Sequence, residues 1–248
     1  MAKILIVLTA AAADSSLGAL APPVGFTAKE FVVPYHIFLE HGLEVTIATP
    51  RGRPAMLDPD SFDLKCHGGD TGRVLNLKEQ LAEIEGWQSP ASLDRLALAT
   101  TDYRAVFFPG GYGAMIDLFN HAATGNMVKR ILASNGLVGA VGHGQAALLT
   151  ALHDEAWLFS GYQMTCFSPD EEIQAGLGSA LEWNLAQRLQ AAGAILSYAS
   201  PGQEQVVIDR QLYTAQNAAS VARLAWEMAR KLKKLSALDK ASCGTPCD

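Results

Sequence analysis

Residues Leu137 to Leu149 have the layout of a nucleophile elbow. An apolar run, Leu137 to Val141, stops at a Gly142-His143-Gly144 corner, and small residues of helical character, Gln145 to Leu149, follow. A strand, a tight turn and a helix in that order lift one side chain to the carboxyl edge of a parallel sheet. That position usually carries Cys or Ser, a nucleophile that adds to a carbonyl carbon. Here it is Gly142, which has no side chain to attack with.

Other residues could still do chemistry. A helix starting at Gly144 would aim backbone N–H groups at the elbow and favour negative charge there. Pro109-Gly110-Gly111 ends another apolar run, Ala105 to Phe108. Two glycines let backbone N–H groups approach a ligand closely, as an oxyanion site requires; two tight turns are the plainer reading. His143 suits a general base, or a loop cap. Glu30 lies near the start of the first long helix. Buried, its carboxyl would have a raised pKa and could pass protons; solvated, it would do neither. Asp170, Glu171 and Glu172 open a later helix, where they cap it or where one of them orients His143.

The elements that must position these groups alternate between strand and helix patterns, which predicts an α/β fold: a mostly parallel sheet with helices on both faces. The expected strands are Lys3 to Leu8, Leu43 to Ala48, Ala105 to Phe108, Leu137 to Val141, and a hairpin of Gln205 to Ile208 and Gln211 to Thr214. The expected helices are Thr27 to His41, capped by Thr27, stopped by Gly42 and kinked at Pro34; Ala122 to Ser134; Ser179 to Ala192; and Ala218 to Leu235. The last carries a basic end, Arg230 to Lys234, which suits the negative pole of its dipole. Residues 50–64 read as an ordered loop. Asn76 to Ala99 read as helix broken near Ser89-Pro90, giving an inserted helical cap over about 70–100. A long loop, Asp14 to Gly25, follows the first strand. The chain then reads as one domain over 1–235 with a flexible tail over 236–248.

The 248 residues suffice for such a domain, with 49% hydrophobic and 18% charged residues. The net charge of −6 and the lack of a basic run exclude a nucleic-acid partner. No apolar stretch reaches the ~20 residues of a membrane helix, and a cytoplasmic location is expected. Four cysteines, Cys66, Cys166, Cys243 and Cys247, are too few and scattered for a disulfide framework. No ligand spacing suggests a metal, and no cofactor is expected.

Several segments together resemble the ThiJ/PfpI superfamily, whose fold is akin to that of class I glutamine amidotransferases. They are Gly25-Phe26-Thr27-Ala28-Lys29-Glu30 before Pro34, Thr49-Pro50-Arg51-Gly52, Asp58-Pro59-Asp60-Ser61, Val106 to Leu118 with its Pro109-Gly110-Gly111-Tyr112-Gly113, and Leu212 to Ser220. Within the superfamily the likeness is to the branch of glutathione-independent glyoxalases (glyoxalase III) and heat-inducible holdase chaperones, over Lys3 to about Lys231. The resemblance implies a flavodoxin-like three-layer sandwich. It places Gly142 at the family's cysteine position, Glu30 as supporting acid, His143 as base and Glu172 as third member, with Glu171 as fallback. It puts Gly110, Gly111, Tyr112 and Gln145 on the substrate side.

The departures are several: Gly142 for Cys, Gln145 for Pro, Tyr112 for His, Cys166 for Gly, and Ala215 and Ala218 for Gly and Pro. So many changes in one pocket favour natural divergence over a single inactivating substitution. The resemblance therefore implies action on a small carbonyl-type compound, as a hydratase, lyase or isomerase using Glu30 and His143. The alternatives are a ligand-binding or holdase pseudoenzyme, and a glyoxalase inactivated by loss of its cysteine. Cys66, beside His67, could replace the lost thiol only if its loop reached the pocket. Dimers are common among such proteins, so a homodimer is compatible with the resemblance.

Overall fold

The computed structural model describes residues 1–11, 24–99, 102–176 and 183–242. The strands among them are β1 (Lys3–Val7), β2 (Glu44–Thr49), β3 (Ala91–Ser92), β4 (Tyr103–Phe108), β5 (Leu137–Val141), β6 (Leu152–His153), β7 (Ala156–Trp157), β8 (Gln163–Met164), β9 (Ile195–Leu196), β10 (Val206–Asp209) and β11 (Leu212–Ala215). The helices are α1 (Ala28–Glu40), α2 (Thr71–Glu83), α3 (Leu93–Leu98), α4 (Ala114–Asp117), α5 (Ala122–Ala133), α6 (Pro169–Gln174), α7 (Leu185–Ala191) and α8 (Val221–Ser242). Seven strands form the main sheet in the order β10-β11-β5-β4-β1-β2-β3, parallel except for the β10–β11 hairpin. This is the flavodoxin-like, glutamine amidotransferase-like sandwich.

The central strands are buried on both faces, so they read as unbroken apolar runs rather than alternating ones. Leu5, Val7, Val106, Phe108, Val138 and Ala140 point to one face, where α5 contributes Met127, Val128 and Ile131. Ile4, Ile6, Ala105, Phe107, Leu137 and Val141 point to the other, against Phe31, Val32 and Phe38 of α1 and Leu224 and Met228 of α8. With both faces covered, the open edge of functional interest is the carboxyl end of β4 and β5.

Several boundaries differ from expectation. The first turn of α1 is capped from outside: Thr27 makes no side-chain cap bond, and the Ala28 N–H donates to Ser61 Oγ at 3.0 Å. Gly42, at φ +74°, follows the helix end as expected. The 50–64 loop contains a 3₁₀ turn at Pro59–Phe62, and a second spans Leu64–His67, started by Asp58 and Asp63 side chains respectively. The expected helical cap is tied into the sandwich. Leu77 and Leu81 of α2 join the core of the α1 face, and β3 pairs in parallel with the end of β2.

Helix α8 begins at Val221, three residues later than Ala218, because Asn217 Oδ1 accepts from the Ala219 N–H and the Ser220 hydroxyl and closes a turn there. It runs on to Ser242, so residues 236–242 are helical rather than tail, and Arg230 to Lys234 do not sit at its negative pole. Arg230 instead pairs with Glu227 at 2.8 Å and lies over the Trp226 ring. Most of the Asp14–Gly25 loop, the start of the expected 179–192 helix, and Cys243 and Cys247 lie outside the described residues. Among the described residues no helix is long and apolar enough to cross a membrane.

Candidate functional site

The corner after β5 is built as an elbow. Gly142 takes φ +61°, its N–H donates to Ala215 O at 3.0 Å, and its carbonyl accepts from Phe167 N–H at 3.2 Å. Left-handed backbone of this kind lifts whatever side chain it carries, and Gly adopts it without penalty. The segment after it, Gly144–Thr150, is 3₁₀ rather than α-helical. Gly144 abuts β4 so closely that a Cβ would lie 2.3 Å from Phe108 O.

Glu30 comes to this corner from α1. Two ties fix it against the Gly110 loop. Thr27 N–H donates to Gly110 O at 3.0 Å, and Gly110 N–H donates to Glu30 Oε2 at 3.0 Å. A Cβ on Gly142 would lie 3.3 Å from Oε2 and 3.5 Å from Oε1, so the carboxyl faces the place where a nucleophile would hang. Burial pushes the Glu30 carboxyl up to about 7, more than the Gly110 N–H and the Lys29 charge pull it down.

His143 and Glu172 form a buried pair, Nε2 to Oε1 at 2.6 Å. The other carboxylate oxygen, Oε2, accepts from the Tyr112 hydroxyl at 2.9 Å. The imidazole is clamped between two rings, Tyr112 at 4.1 Å and Phe167 at 4.8 Å between centroids. Burial and the neighbouring Glu172 push the Tyr112 phenol far up, so it remains a donor. Of the acidic run, Glu172 is thus the member that meets His143. Glu171, the fallback, is used elsewhere. It completes a capping box with Ser168 and accepts from Gly202 N–H, Gln216 and Asn217 side chains. These hydrogen bonds outweigh its burial and hold its carboxyl below the usual range.

The remaining expected residues fall on two sides. The Gly110 N–H is occupied by Glu30, so it is not an oxyanion donor in this arrangement. Among the described residues the N–H groups of Gly111 and His143 donate to no backbone carbonyl, and His143 N lies 3.2 Å from where a Gly110 Cβ would sit. Gln145, expected to touch substrate, is a brace beneath the elbow. It is fully buried, and its Nε2 donates to Thr165 O at 2.8 Å, Ala215 O at 2.9 Å and Ala140 O at 3.4 Å. Gln145→Met keeps the length but strips Thr165 O of its donor. It should cost about 2 kcal/mol in urea unfolding.

Cys66 does not replace the missing thiol. It lines a separate cavity of about 280 Å³ with Lys29, His67 and Arg73, from which Glu30, Gly142 and His143 are absent. Burial, then Asp63, Asp58 and Asp60, push its thiol up and leave little thiolate. Cys166 is buried, and its thiol is pushed up to about 12. Among the described residues no group of three His, Cys, Asp or Glu is arranged to hold a metal ion.

Two supporting residues escaped sequence reasoning. Phe167 stacks on His143, but an isolated aromatic after Cys166 carries no periodic signal. Asp117 accepts from Thr9 Oγ1 and Ala10 N–H, both at 2.8 Å, pinning the end of β1 beside the site. Its Asp117-Leu118 motif was visible, but not its partner 108 residues away.

The chain is similar in sequence and fold to several known proteins. A family model described as ThiJ/PfpI family-like matches residues 21–167. The bovine glutamine amidotransferase-like class 1 domain-containing protein 1 is 32% identical over 160 residues, covering 62% of this chain and 72% of the relative. A glutathione-independent glyoxalase of Schizosaccharomyces pombe is 25% identical over 218 residues, covering 83% of this chain and 87% of the relative. Among solved structures, the Francisella tularensis Rapid Encystment Protein 24 kDa superimposes with a TM-score of 0.77 at 28% identity, over 94% of this chain and 99% of that one. Glyoxalase III from Candida albicans shares the fold, with a TM-score of 0.79 at 20% identity over 92% of this chain and 96% of its own.

Proposed function

The chain belongs to the ThiJ/PfpI-like family, and within it we propose a thiol-free acid–base site that binds a small carbonyl compound and moves protons on it. The observation that carries this is Glu30: a buried carboxyl with a pKa near 7, facing a Gly142 that has no side chain. At neutral pH such a group is present in both protonation states, the condition for efficient general acid–base work. His143 is the second titratable group, oriented by Glu172.

The reaction class is enolisation of an α-hydroxy- or α-oxo-carbonyl compound. Glu30 in its acid form donates a proton to the carbonyl oxygen while His143 takes the proton from the adjacent carbon. The enediol (from an α-oxo compound, the enol) then returns its oxygen proton to the Glu30 carboxylate, and the imidazolium returns a proton to carbon. Protons and electrons balance without a co-reactant. The Gly111 and His143 backbone N–H groups suit the charge developing on oxygen. Glu30, His143 and Tyr112 are each under 10% exposed, which limits the occupant to a small molecule.

The test is exchange of C–H for C–D in D₂O, followed by proton NMR, with dihydroxyacetone and methylglyoxal. The protein should exchange both faster than buffer does. Glu30→Gln and His143→Gln should each lower the rate about a hundredfold or more. Exchange no faster than buffer would reject the proposal, as would exchange that both variants retain.

A second reading, ligand binding without turnover, is favoured by Gly142, which leaves the elbow without a nucleophile. A third, an inactivated glyoxalase, is separated by Gly142→Cys. The left-handed backbone makes this change cost about 1–2 kcal/mol. Under the acid–base proposal the new thiol fills the space over Glu30 and lowers exchange about tenfold or more. Methylglyoxal consumption without glutathione, appearing only in this variant, would favour the third reading instead.

A further inference from the structure

We propose that Tyr112 is a positioning residue: through Glu172 and its own ring it holds His143 in one tautomer and one orientation, with hydrogen on Nε2 and Nδ1 as the proton-accepting atom.

Three observations meet on this residue. Its hydroxyl donates to Glu172 Oε2 at 2.9 Å, which makes that oxygen an acceptor and keeps the carboxylate from rotating away. The other oxygen, Oε1, meets His143 Nε2 at 2.6 Å, a short contact of the charge-assisted kind. A carboxylate that accepts from both sides places hydrogen on Nε2. The neutral imidazole then has its lone pair on Nδ1.

Nδ1 has no hydrogen-bond partner among the described residues, and it is not one of the buried polar atoms sealed without a partner. Its lone pair is therefore engaged by no described residue. A χ2 flip would put Cε1 in place of Nε2 and Cδ2 in place of Nδ1, and the Tyr112 and Phe167 rings on either side oppose that rotation. Tyr112 thus supplies two constraints, a hydrogen bond that sets the tautomer and a ring face that sets the orientation. A histidine at position 112, which the resemblance leads one to expect, would be shorter and could not span the same distance from the same backbone. This links the Tyr112 departure to the loss of the thiol. Without a covalent step, the placement of the base matters more to the rate.

The kinetic part rests on the acid–base reading above; the tautomer does not. Tyr112→Phe keeps the ring and removes the hydroxyl. Histidine ¹⁵N NMR on the free protein should show the Nε2–H tautomer of His143 in the parent and a mixture of tautomers in the variant. In the exchange assay the variant should lose about tenfold in kcat, with KM within about twofold, as expected when transition-state geometry rather than binding is lost.

An Nδ1–H tautomer in the parent overturns the proposal, and this result needs no variant to fold. A Tyr112→Phe protein that keeps the pure Nε2–H tautomer also overturns it, whatever its activity. Absence of exchange in the parent defeats the acid–base reading while the NMR measurement still decides this one.

Discussion

Glu30→Gln should make the protein more stable than its parent above neutral pH, and no more stable under acid conditions. The carboxyl has an ordinary value of 4.5 when unfolded and about 7 when folded. Below 4.5 both states hold the proton, and Glu30 contributes no pH dependence. Between the two values the folded state holds a proton that the unfolded state has released. Folding stability therefore falls as pH rises, by about 1.4 kcal/mol per pH unit. Above 7 the loss is complete, at about 3 kcal/mol.

The glutamine amide can still accept from the Gly110 N–H and has no charge to bury. Asp58 and Asp117, whose carboxyls are also raised by burial, change stability in the same direction, but in both proteins alike. The difference between parent and variant isolates Glu30. For a chain of this size it amounts to a relative gain of roughly 6–12 °C in Tm between acid and about pH 8. Thermal unfolding across that range checks it; parallel curves would place Glu30 among ordinary solvated carboxylates.

Gly111→Ala should destabilise by about 3–5 kcal/mol, combining backbone strain with overpacking. Gly111 holds φ +111°, a conformation that side chains rarely adopt, and an added Cβ would lie 2.1 Å from Gly25 O and 2.8 Å from Phe26 Cα. These are backbone atoms of the strand-like segment leading into α1, and they cannot rotate away. Phe26 is held in turn, with its N–H on Met56 O at 2.7 Å and its carbonyl receiving Asp58 N–H at 3.0 Å. Gly142→Ala is the control. It has positive φ too, but its nearest neighbour at 3.3 Å is a side-chain oxygen, so strain alone should cost about 1–2 kcal/mol. Urea unfolding midpoints compare the two. A Gly111→Ala protein within about 1 kcal/mol of its parent would mean that the loop relaxes and that the close approach is not required.

The parts of the fold that could be read from the chain are those where burial imposes a pattern. β1, β4 and β5 are covered on both faces and appear as apolar runs, and the Gly-rich corners after β4 and β5 mark where the sheet ends. The pairing of His143 with Glu172 was approachable because Asp170, Glu171 and Glu172 stand together at the start of a helix, though only tertiary structure separates Glu172 from Glu171. Those two adjacent carboxylates point into different networks because successive residues on a helix face about a hundred degrees apart.

What stayed hidden depends on contacts between distant segments. The 56–61 loop covers the start of α1, so Ser61 caps it and Glu30 is buried; nothing local to Glu30 reports this. Gln145 looks like a pocket residue by position, yet its amide turns inward because the carbonyls of Ala140, Thr165 and Ala215 converge beneath the elbow. The two-residue strand β3 is too short for any periodicity and exists only because the end of β2 offers it an edge.

Glu30 is expected to exchange a proton near neutral pH at an elbow without a thiol. Carboxyl-selective ¹³C NMR of the folded protein, with Glu30→Gln to assign the resonance, measures this directly. A titration midpoint near 7 is expected for Glu30. A midpoint at the ordinary 4.5 would contradict it, because a carboxyl already ionised at neutral pH could not act as the acid.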